Sequence, residues 1–234
     1  MAADEAIVLA GGRGTRLRGV VDDVPKPLAP VAGRPFLAWV LDMLAAGGIR
    51  RVVLATGYMA GKVEAAMGRD WAGMALDHSV EPSPLGTGGA IRLAARRLRG
   101  DSAHVLNGDT FLRYAPAALE DAARAAGTPI AVALARVEDV GRYGAVQVRD
   151  GRVARFDEKG GTGPGLVNAG SYFLAAPALG AIEAMGEGAF SFETAVLAPR
   201  AAAGDVAAFS GTADFIDIGV PEDYRRAQSL FPGR

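Results

Sequence analysis

The chain has 234 residues, of which 50% are hydrophobic and 22% charged, and its 25 basic and 26 acidic residues leave a formal net charge of -1. This composition excludes a disordered or fibrous chain, and the balanced charge gives no attraction to nucleic acid or anionic lipid, so neither is expected as a partner. The absence of cysteine excludes disulfides, a cysteine nucleophile and thiolate metal sites. Two histidines, His78 and His104, leave little for a histidine zinc site or a Ser-His-Asp triad.

Apolar runs in the chain are short. None approaches the ~18 residues of a membrane span, and the first, at residues 6–10, is too short for the apolar region of a signal peptide. We therefore expect a cytoplasmic protein without a membrane partner.

Through the first part of the chain, these apolar runs alternate with helical stretches. Strands are predicted at 6–10, 52–55, 103–106 and 130–134, and helices at 35–46, 59–67, 88–98 and 115–126. A strand–helix repeat of this kind predicts an α/β fold with a mixed, mostly parallel sheet and helices on both faces.

The pattern changes after Tyr143. Segments 143–148 and 152–156 flank Asp150-Gly151, a strong signal for a two-residue hairpin. A strand that contains glycine is predicted at 166–174, helices at 177–185 and 192–197, and a last strand at 215–218 before a helix that opens at Pro221. We expect one domain over residues 1–234 with two functional halves, which divide at about residue 112.

The first strand leads directly into a glycine-rich segment that runs from Leu9 to Leu17. Its three glycines allow backbone N–H groups to approach an anion, and its arginines add charged donors beside them. Two phosphate-binding loops are excluded, because Leu17 stands where the dinucleotide fingerprint needs glycine or alanine and Val20-Val21 stands where the Walker loop needs Lys-Ser/Thr. Taken alone, the segment is also compatible with a glycine turn that carries surface arginines.

A lysine between two prolines follows the glycine-rich segment. Pro25 and Pro27 restrict the backbone around Lys26 and keep it out of a helix, which presents the ammonium as a positioned charge. The two segments together resemble the G-G-x-G-T-R-L and K-P-x-x-P motifs of the sugar-1-phosphate nucleotidyltransferases, also called NDP-sugar pyrophosphorylases. The resemblance extends from Ile7 to about Tyr224.

The resemblance implies a Rossmann-like fold of the nucleotide-diphospho-sugar transferase type, and a reaction of a nucleoside triphosphate with a sugar 1-phosphate that releases pyrophosphate. It divides the chain into a nucleotide-binding half at about 1–112 and a sugar-phosphate half at about 113–234. Arg16 and Lys26, with Arg13, are expected to hold the leaving pyrophosphate. The glycine-rich residues expected to bind the nucleotide are Leu9, Ala10, Gly11, Gly12, Arg13, Gly14 and Thr15.

Two aspartates follow apolar strands. Asp109 lies after the strand at 103–106, where open α/β sheets bind their ligands, and Asp217 interrupts an apolar run, which is costly unless the carboxylate is paired or metal-bound. By resemblance, the two carboxylates together hold Mg²⁺. The alternatives are an Asx turn at Asp109 and a helix N-cap at Asp217.

The segment from Glu81 to Ala90 resembles the loop that closes over the nucleobase in this family, so Glu81, Gly86 and Thr87 are expected at the nucleotide. A carboxylate at Glu81 could accept two hydrogen bonds from guanine, whereas uracil and thymine would oppose it with a carbonyl oxygen. The alternatives are that Glu81 faces solvent and that the glycine run is a flexible helix N-cap.

The remaining motifs correspond to the family's sugar-phosphate pocket. Glu158 and Asn168 can hydrogen-bond sugar hydroxyls, and Lys159 is expected to face the phosphates. A glycine-rich stretch follows Lys159 where many family members have proline, so the sequence departs from the pattern there. The residues expected to bind the sugar phosphate are Asn107, Gly108, Tyr143, Gly144, Glu158 and Asn168.

Four further segments, among them 84–91 and 215–224, resemble the guanylyltransferases of D-glycero-α-D-manno-heptose 1-phosphate, which implies GTP and that sugar phosphate as substrates. Mannose 1-phosphate with GTP, or an N-acetylmuramate- or glucose-type sugar 1-phosphate with UTP or dTTP, are the alternative substrates. A regulatory subunit that binds a nucleotide sugar without turnover is an alternative of another class. A homo-oligomer is compatible with the sequence.

Overall fold

The computed structural model of the protein describes residues 2–12 and 23–231. Within these residues the chain forms fourteen strands and seven α-helices. The strands are β1 (Glu5–Leu9), β2 (Pro30–Val31), β3 (Arg34–Pro35), β4 (Arg51–Thr56), β5 (Asp70–Trp71), β6 (Met74–Val80), β7 (Ala103–Asn107), β8 (Thr110–Arg113), β9 (Ile130–Val137), β10 (Val146–Arg149), β11 (Arg152–Phe156), β12 (Gly165–Leu174), β13 (Val206–Phe209) and β14 (Ala213–Asp217). The helices are α1 (Phe36–Ala46), α2 (Ala60–Met67), α3 (Gly86–Ala95), α4 (Pro116–Ala126), α5 (Ala176–Glu183), α6 (Ala198–Ala202) and α7 (Pro221–Leu230).

One ten-stranded sheet organises the described part of the chain, in the order β10-β11-β13-β9-β12-β7-β1-β4-β6-β5. Strands β7, β1, β4 and β6 are parallel to one another, and β9 is parallel to β13. Strand β12 runs antiparallel to both of its neighbours, β7 and β9. Only β5, β11 and β12 oppose the common direction among these ten strands. The predicted mixed, mostly parallel α/β sheet is therefore confirmed.

Helices cover both faces of the sheet, which explains the continuous apolar strands. In β1, Ala6 and Val8 belong to one apolar core, which also contains residues of α1 and α4, while Ile7 belongs to a second core with residues of α3 and α5. Because both faces of β1 are buried, its sequence has no alternation of polar and apolar residues. This is the pattern that predicted a buried parallel strand.

Several elements differ from the predicted ones. Strand β6 was not predicted because Asp77 and His78 interrupt it, and the short strands β8 and β13 were not predicted either. The predicted helix at 192–197 is a π-helical turn, Glu193–Leu197, which continues into α6. The hairpin around Asp150-Gly151 is present, but its first strand begins at Val146 because residues 143 and 144 form a turn.

No helix among residues 2–12 and 23–231 combines the length and the apolar character that crossing a membrane requires.

Two short antiparallel pairs of strands lie outside the main sheet. One joins β2 to β3, and the other joins β8 to β14 with Thr110 opposite Asp217. The second pair brings the chain after β7 next to the segment before α7.

His104 is fully buried in the middle of the sheet, on β7, between Ala6 of β1 and Phe173 of β12. Neither ring nitrogen has a hydrogen-bond partner among the described residues, and the ring lies 5.4 Å from that of Phe173. Burial lowers the pKa of His104 to about 4, because a charged imidazolium cannot be solvated there. His104 is therefore uncharged in the folded protein near neutral pH.

A buried neutral histidine makes stability depend on pH. The unfolded chain binds a proton at this histidine more readily than the folded protein, because its pKa is near 6.5 rather than about 4. Protonation of His104 therefore does not affect stability above pH 6.5, and it lowers the unfolding free energy as the pH falls from 6.5 towards 4. Between pH 7.5 and pH 5 we expect His104 to cost about 2 kcal/mol of unfolding free energy. His104→Leu should remove that part of the pH dependence, as measured by urea unfolding at the two pH values.

The matched control is His104→Gln, which keeps a polar group in the sheet but cannot titrate. It should flatten the pH dependence as His104→Leu does, while it lowers stability at pH 7.5 because its buried amide lacks partners. If the wild type and both variants lose the same stability between the two pH values, the buried histidine does not titrate as described.

Candidate functional site

A cavity of about 630 Å³ opens at the carboxyl ends of β1, β4 and β7, the edge at which open α/β sheets bind their ligands. Its volume suits a ligand with the size of a nucleotide. The lining residues are Leu9, Gly11, Gly12, Lys26, Pro27, Ala55, Gly57, Tyr58, Glu81, Pro82, Ser83, Pro84, Gly86, Thr87, Ala90, Asn107, Asp109 and Gly219.

Lys26 and Asp109 line the floor of the cavity, and Asp217, which is absent from the lining among the described residues, pairs with Lys26 beside them. The Nζ atom of Lys26 lies 2.5 Å from Oδ2 of Asp109 and 3.4 Å from Oδ1 of Asp217. Lys26 occupies a 3-10 turn between the prolines at 25 and 27, and only 8% of its side chain is exposed. Lys26 thus lies in a short 3-10 turn rather than in the non-helical backbone that the prolines predicted, and its ammonium approaches both aspartates.

The pairing of β8 with β14 brings the two aspartates together. Asp109 precedes β8 and Asp217 ends β14, and the N–H of Ile218 donates to the carbonyl of Asp109 at 3.1 Å. Burial raises the pKa of Asp217, the ammonium of Lys26 lowers it, and the charge of Asp109 raises it again. Among the residues that the structure describes, these two carboxylates share one ammonium.

Glu81 forms one wall of the cavity, directly after β6. Its Oε2 accepts a hydrogen bond from the N–H of Leu85 at 2.8 Å, and a Cβ at Gly11 would lie 2.8 Å from its Oε1. Gly11 is therefore needed for the close approach of a carboxylate. Burial raises the pKa of Glu81, while the hydrogen bond from Leu85 lowers it. Glu81 thus faces the cavity rather than bulk solvent.

The glycine run at the start of α3 has a different role from a flexible cap. Gly86 has a φ of +70°, and a Cβ there would lie 2.5 Å from the carbonyl oxygen of Phe190. A Cβ at Gly88 would collide with the ring of Phe190, and one at Gly89 would lie 2.7 Å from Leu85. These glycines leave room for a segment from the second half of the chain, residues 188–193, which we call the strap.

Asn107 ends β7 at the cavity, and the predicted sugar residue Asn168 reaches it indirectly. A bulge in β12 places Gly170 against the side chain of Asn107, with a φ of +67° that favours glycine. Oδ1 of Asn168 accepts from the N–H of Gly170 at 2.9 Å, and Nδ2 of Asn168 donates to the hydroxyl of Tyr172 at 2.9 Å. Asn168 therefore shapes the bulge that contacts the cavity residue.

Gly108 packs between strands, where its N–H donates to the carbonyl of Leu9 at 2.8 Å and a Cβ would lie 2.8 Å from that oxygen. Ala10 is fully buried, and its N–H donates to the carbonyl of Ala55 at 2.7 Å. Neither residue is among those that line the cavity in the described part of the chain. Both hold the strand ends in place.

Tyr143 and Gly144 lie in a turn beside the second carboxylate. The ring of Tyr143 packs edge-on against Phe215 at 5.4 Å, and its pKa is raised by burial and by the charges of Asp223 and Asp217. Gly144 has a φ of +83° and leaves no room for a Cβ against the carbonyl of Asp157. The positive φ and the nearby carbonyl together require glycine at position 144.

Glu158 and Lys159 are both exposed, on the loop after β11, and neither lines the cavity among the residues that the structure describes. Their roles at the sugar phosphate stay predictions. Arg13, Gly14, Thr15 and Arg16 lie outside the described residues, so their roles also stay predictions. Nine of the predicted site residues line the cavity together: Leu9, Gly11, Gly12, Lys26, Glu81, Gly86, Thr87, Asn107 and Asp109.

Some cavity residues were not predicted. Gly57 and Tyr58 directly follow β4, so the rule that ligands bind at the carboxyl ends of parallel strands could have found them. Phe190 and Glu193, which do not line the cavity in the described part of the chain, contact the start of α3 across about a hundred residues of sequence. No local pattern in the sequence indicates that contact.

Comparison with known proteins agrees with this geometry. Residues 5–232 match the nucleotidyl transferase family. The chain is 39% identical to D-glycero-alpha-D-manno-heptose 1-phosphate guanylyltransferase of Aneurinibacillus thermoaerophilus over 96% of both chains. It is 36% identical to mannose-1-phosphate guanylyltransferase of Mycobacterium tuberculosis over 96% of this chain, but spans only 64% of that protein.

Among solved structures, HddC from Yersinia pseudotuberculosis complexed with GMP-PN superposes with a TM-score of 0.85 at 35% identity. The superposition covers 97% of this chain and 99% of HddC. The family match spans residues 5–232, and the fold agrees with it. The chain belongs to the nucleotidyl transferase family.

Proposed function

We propose that the protein is a guanylyltransferase that joins GTP to D-glycero-α-D-manno-heptose 1-phosphate and releases pyrophosphate. The observation that carries the proposal is the end-to-end match with the heptose 1-phosphate guanylyltransferase of A. thermoaerophilus, which spans 96% of both chains. The cavity supports it with a volume that suits a nucleotide and a charged floor at the strand ends. The cytoplasm, which supplies nucleoside triphosphates, is the proposed compartment.

Mannose 1-phosphate is the second candidate acceptor, because a mannose-1-phosphate guanylyltransferase is also 36% identical to this chain. That relative is longer, and the chain spans 64% of it. The heptose enzyme is 39% identical to this chain over 96% of both chains. This higher identity favours heptose 1-phosphate as the acceptor.

Charge repulsion is the main obstacle to the proposed reaction. The two substrates carry roughly five to six negative charges near neutral pH, and two unit charges ~4 Å apart interact by ~4 kcal/mol at an effective dielectric constant of 20. An oxygen of the sugar phosphate attacks the α-phosphorus of GTP. A new O–P bond forms as the bond to the bridging oxygen breaks, and the electron pair leaves with pyrophosphate. The attacking oxygen is already ionised, so no general base is needed.

The residues of the floor fit a divalent cation. Asp109 and Asp217 offer hard carboxylate oxygens close to each other, since both lie within 3.4 Å of Nζ of Lys26. One or two carboxylates can hold Mg²⁺ in a protein while phosphates and water complete its shell. Bound by these carboxylates, Mg²⁺ would neutralise phosphate charge and polarise the phosphoryl group.

The protein's own cations have separate proposed tasks. Lys26, buried on the cavity floor in the nucleotide half, binds the phosphates of GTP together with Arg13 and Arg16. Lys159, exposed in the sugar-phosphate half, neutralises the acceptor. Positioned ammonium and guanidinium groups stabilise charge that develops on the leaving pyrophosphate.

Glu81 is the proposed base-recognition residue. Its Oε2 is occupied by the N–H of Leu85, whereas its Oε1 faces the cavity beside Gly11 and has capacity to accept from guanine. Uracil and thymine present carbonyl oxygens on both sides of their single N–H, so they would meet this carboxylate with repulsion. A buried charged group left unpaired discriminates strongly between ligands.

The proposed function predicts a clear substrate preference. We expect pyrophosphate release to be fastest with GTP and heptose 1-phosphate when the four common NTPs and dTTP are crossed with heptose, mannose, glucose and N-acetylated sugar 1-phosphates. Glu81→Gln should lower kcat/KM for GTP about tenfold or more, because an amide cannot replace the carboxylate at guanine. The variant's carbonyl can still accept from Leu85, so the loop should keep its shape.

If UTP or dTTP outperforms GTP with every sugar phosphate, the guanylyl assignment is wrong. If GTP is preferred but mannose 1-phosphate is the best acceptor, the second candidate replaces the first. Unchanged GTP preference in Glu81→Gln would remove Glu81 from base recognition.

Asp217→Asn should lower kcat about a hundredfold or more at saturating Mg²⁺, because the amide keeps the shape of the side chain but loses the charge that holds the cation. The matched control is Asp214→Asn on the same strand, where the carboxylate makes an exposed ion pair with Arg113. That variant should retain turnover, since exposed ion pairs contribute little. Pyrophosphate release, with the melting temperature of each variant, measures both; turnover of Asp217→Asn within threefold of wild type would refute the metal role.

A further inference from the structure

The strap, residues 188–193, is hydrogen-bonded to the start of α3 in both directions. The N–H of Gly88 donates to the carbonyl of Phe190, and the N–H of Phe190 donates to the carbonyl of Leu85, each at 2.9 Å. The guanidinium of the buried Arg92 adds a hydrogen bond to the carbonyl of Gly188 at 3.1 Å. Gly88 thus uses one of the helix's free N–H groups for the strap instead of a ligand.

Thr87 connects the strap to the cavity wall. Its hydroxyl donates to Oε2 of Glu193 at 2.6 Å and accepts from the N–H of Phe192 at 2.9 Å. Oε2 of Glu193 also accepts from the hydroxyl of Ser191 at 2.9 Å. Thr87 lines the cavity, whereas Glu193 is absent from its lining among the described residues. The carboxylate of Glu193 therefore contacts the cavity wall through Thr87 without lining the cavity itself.

The strap is itself firmly anchored in the second half of the chain. Phe192 is fully buried and packs edge-on against Tyr172 of β12 with ring centroids 5.0 Å apart. Glu193 begins a π-helical turn, a distortion found frequently at functional sites. An anchored strap can hold the loop at residues 81–87, whereas a mobile one could not.

We propose that Glu193 is a positioning residue for the nucleotide: through Thr87 it holds the loop at residues 81–87 against the cavity. The inference rests on the proposed function, because it assigns the ligand of that wall as a nucleoside triphosphate. The contacts that carry it are the hydrogen bond between Thr87 and Glu193 and the place of Thr87 in the cavity lining.

The test compares Thr87→Val, Glu193→Ala and the double variant by calorimetric titration with GTP and Mg²⁺, without the acceptor. Each single change removes the hydrogen bond between Thr87 and Glu193, and Thr87→Val also removes the acceptor of the Phe192 N–H, so Glu193→Ala should weaken GTP binding about tenfold and Thr87→Val at least as much. The double variant should bind GTP no more weakly than Thr87→Val, because the two residues act as one unit. The KM of the sugar phosphate at saturating GTP should change less than twofold in all three.

Two matched variants separate positioning from general stability. Glu193→Gln keeps an acceptor for the Thr87 hydroxyl and should recover most of the loss. Glu183→Gln removes another carboxylate that contacts α3, through the half-exposed Arg96, and should bind GTP as the wild type does. A melting temperature measured for each variant identifies any loss of binding that follows unfolding.

Three results would overturn the inference. They are a hundredfold loss in the double variant, a rise in the KM of the sugar phosphate with Glu193→Ala alone, and unchanged GTP binding in both single variants. Failure of the proposed function is seen separately, in the wild type. If the wild type binds another NTP instead of GTP, the same variants are titrated with that nucleotide, and the same outcomes decide.

Discussion

The ammonium of Lys26 between two carboxylates is the interaction on which the site depends. Lys26 lies 83 residues before Asp109 and 191 residues before Asp217, so three distant segments must meet to make it. Two buried or half-buried carboxylates close together repel each other, and the ammonium offsets that repulsion. The prolines around Lys26 and the pairing of β8 with β14 set these positions before any ligand arrives.

The chain after Asp217 also supports Lys26. Helix α7 follows that residue and returns to the segment that carries Lys26, where the hydroxyl of Tyr224 donates to the carbonyl of Pro30 at 2.6 Å. The side chain of Gln228 donates to the same carbonyl and accepts from the N–H of Ala32, each at 3.0 Å. Helix α7 thus holds the backbone that follows Lys26, so the segments that carry Lys26 and Asp217 are linked by hydrogen bonds as well as by their ion pair.

Much of the fold and part of the site were predictable from sequence, because the signals are local. Buried strands are continuous apolar runs, and the motif at Lys26 lies within a few residues. The strap was not predictable, since Phe190 meets Gly86 and Gly88 only through folding. The sequence was compatible with a flexible helix cap at those glycines, whereas in the structure close packing against Phe190 requires them. Strand β6 was missed for a related reason: Asp77 accepts a hydrogen bond from Arg51 and Nε2 of His78 contacts the carbonyl of Gly68, and neither contact follows from a local sequence pattern.

Strand β12 has a consequence for how substrates enter. It is hydrogen-bonded to β7 on one side and, on both sides of its bulge, to β9 on the other, so one sheet joins the strands of the cavity to the second half of the chain. A hinge between two rigid bodies would have to break that sheet. Individual loops, such as the wall at residues 81–87, are therefore the elements left to move around substrates, and a few hydrogen bonds of Glu81, Leu85 and Thr87 hold that wall.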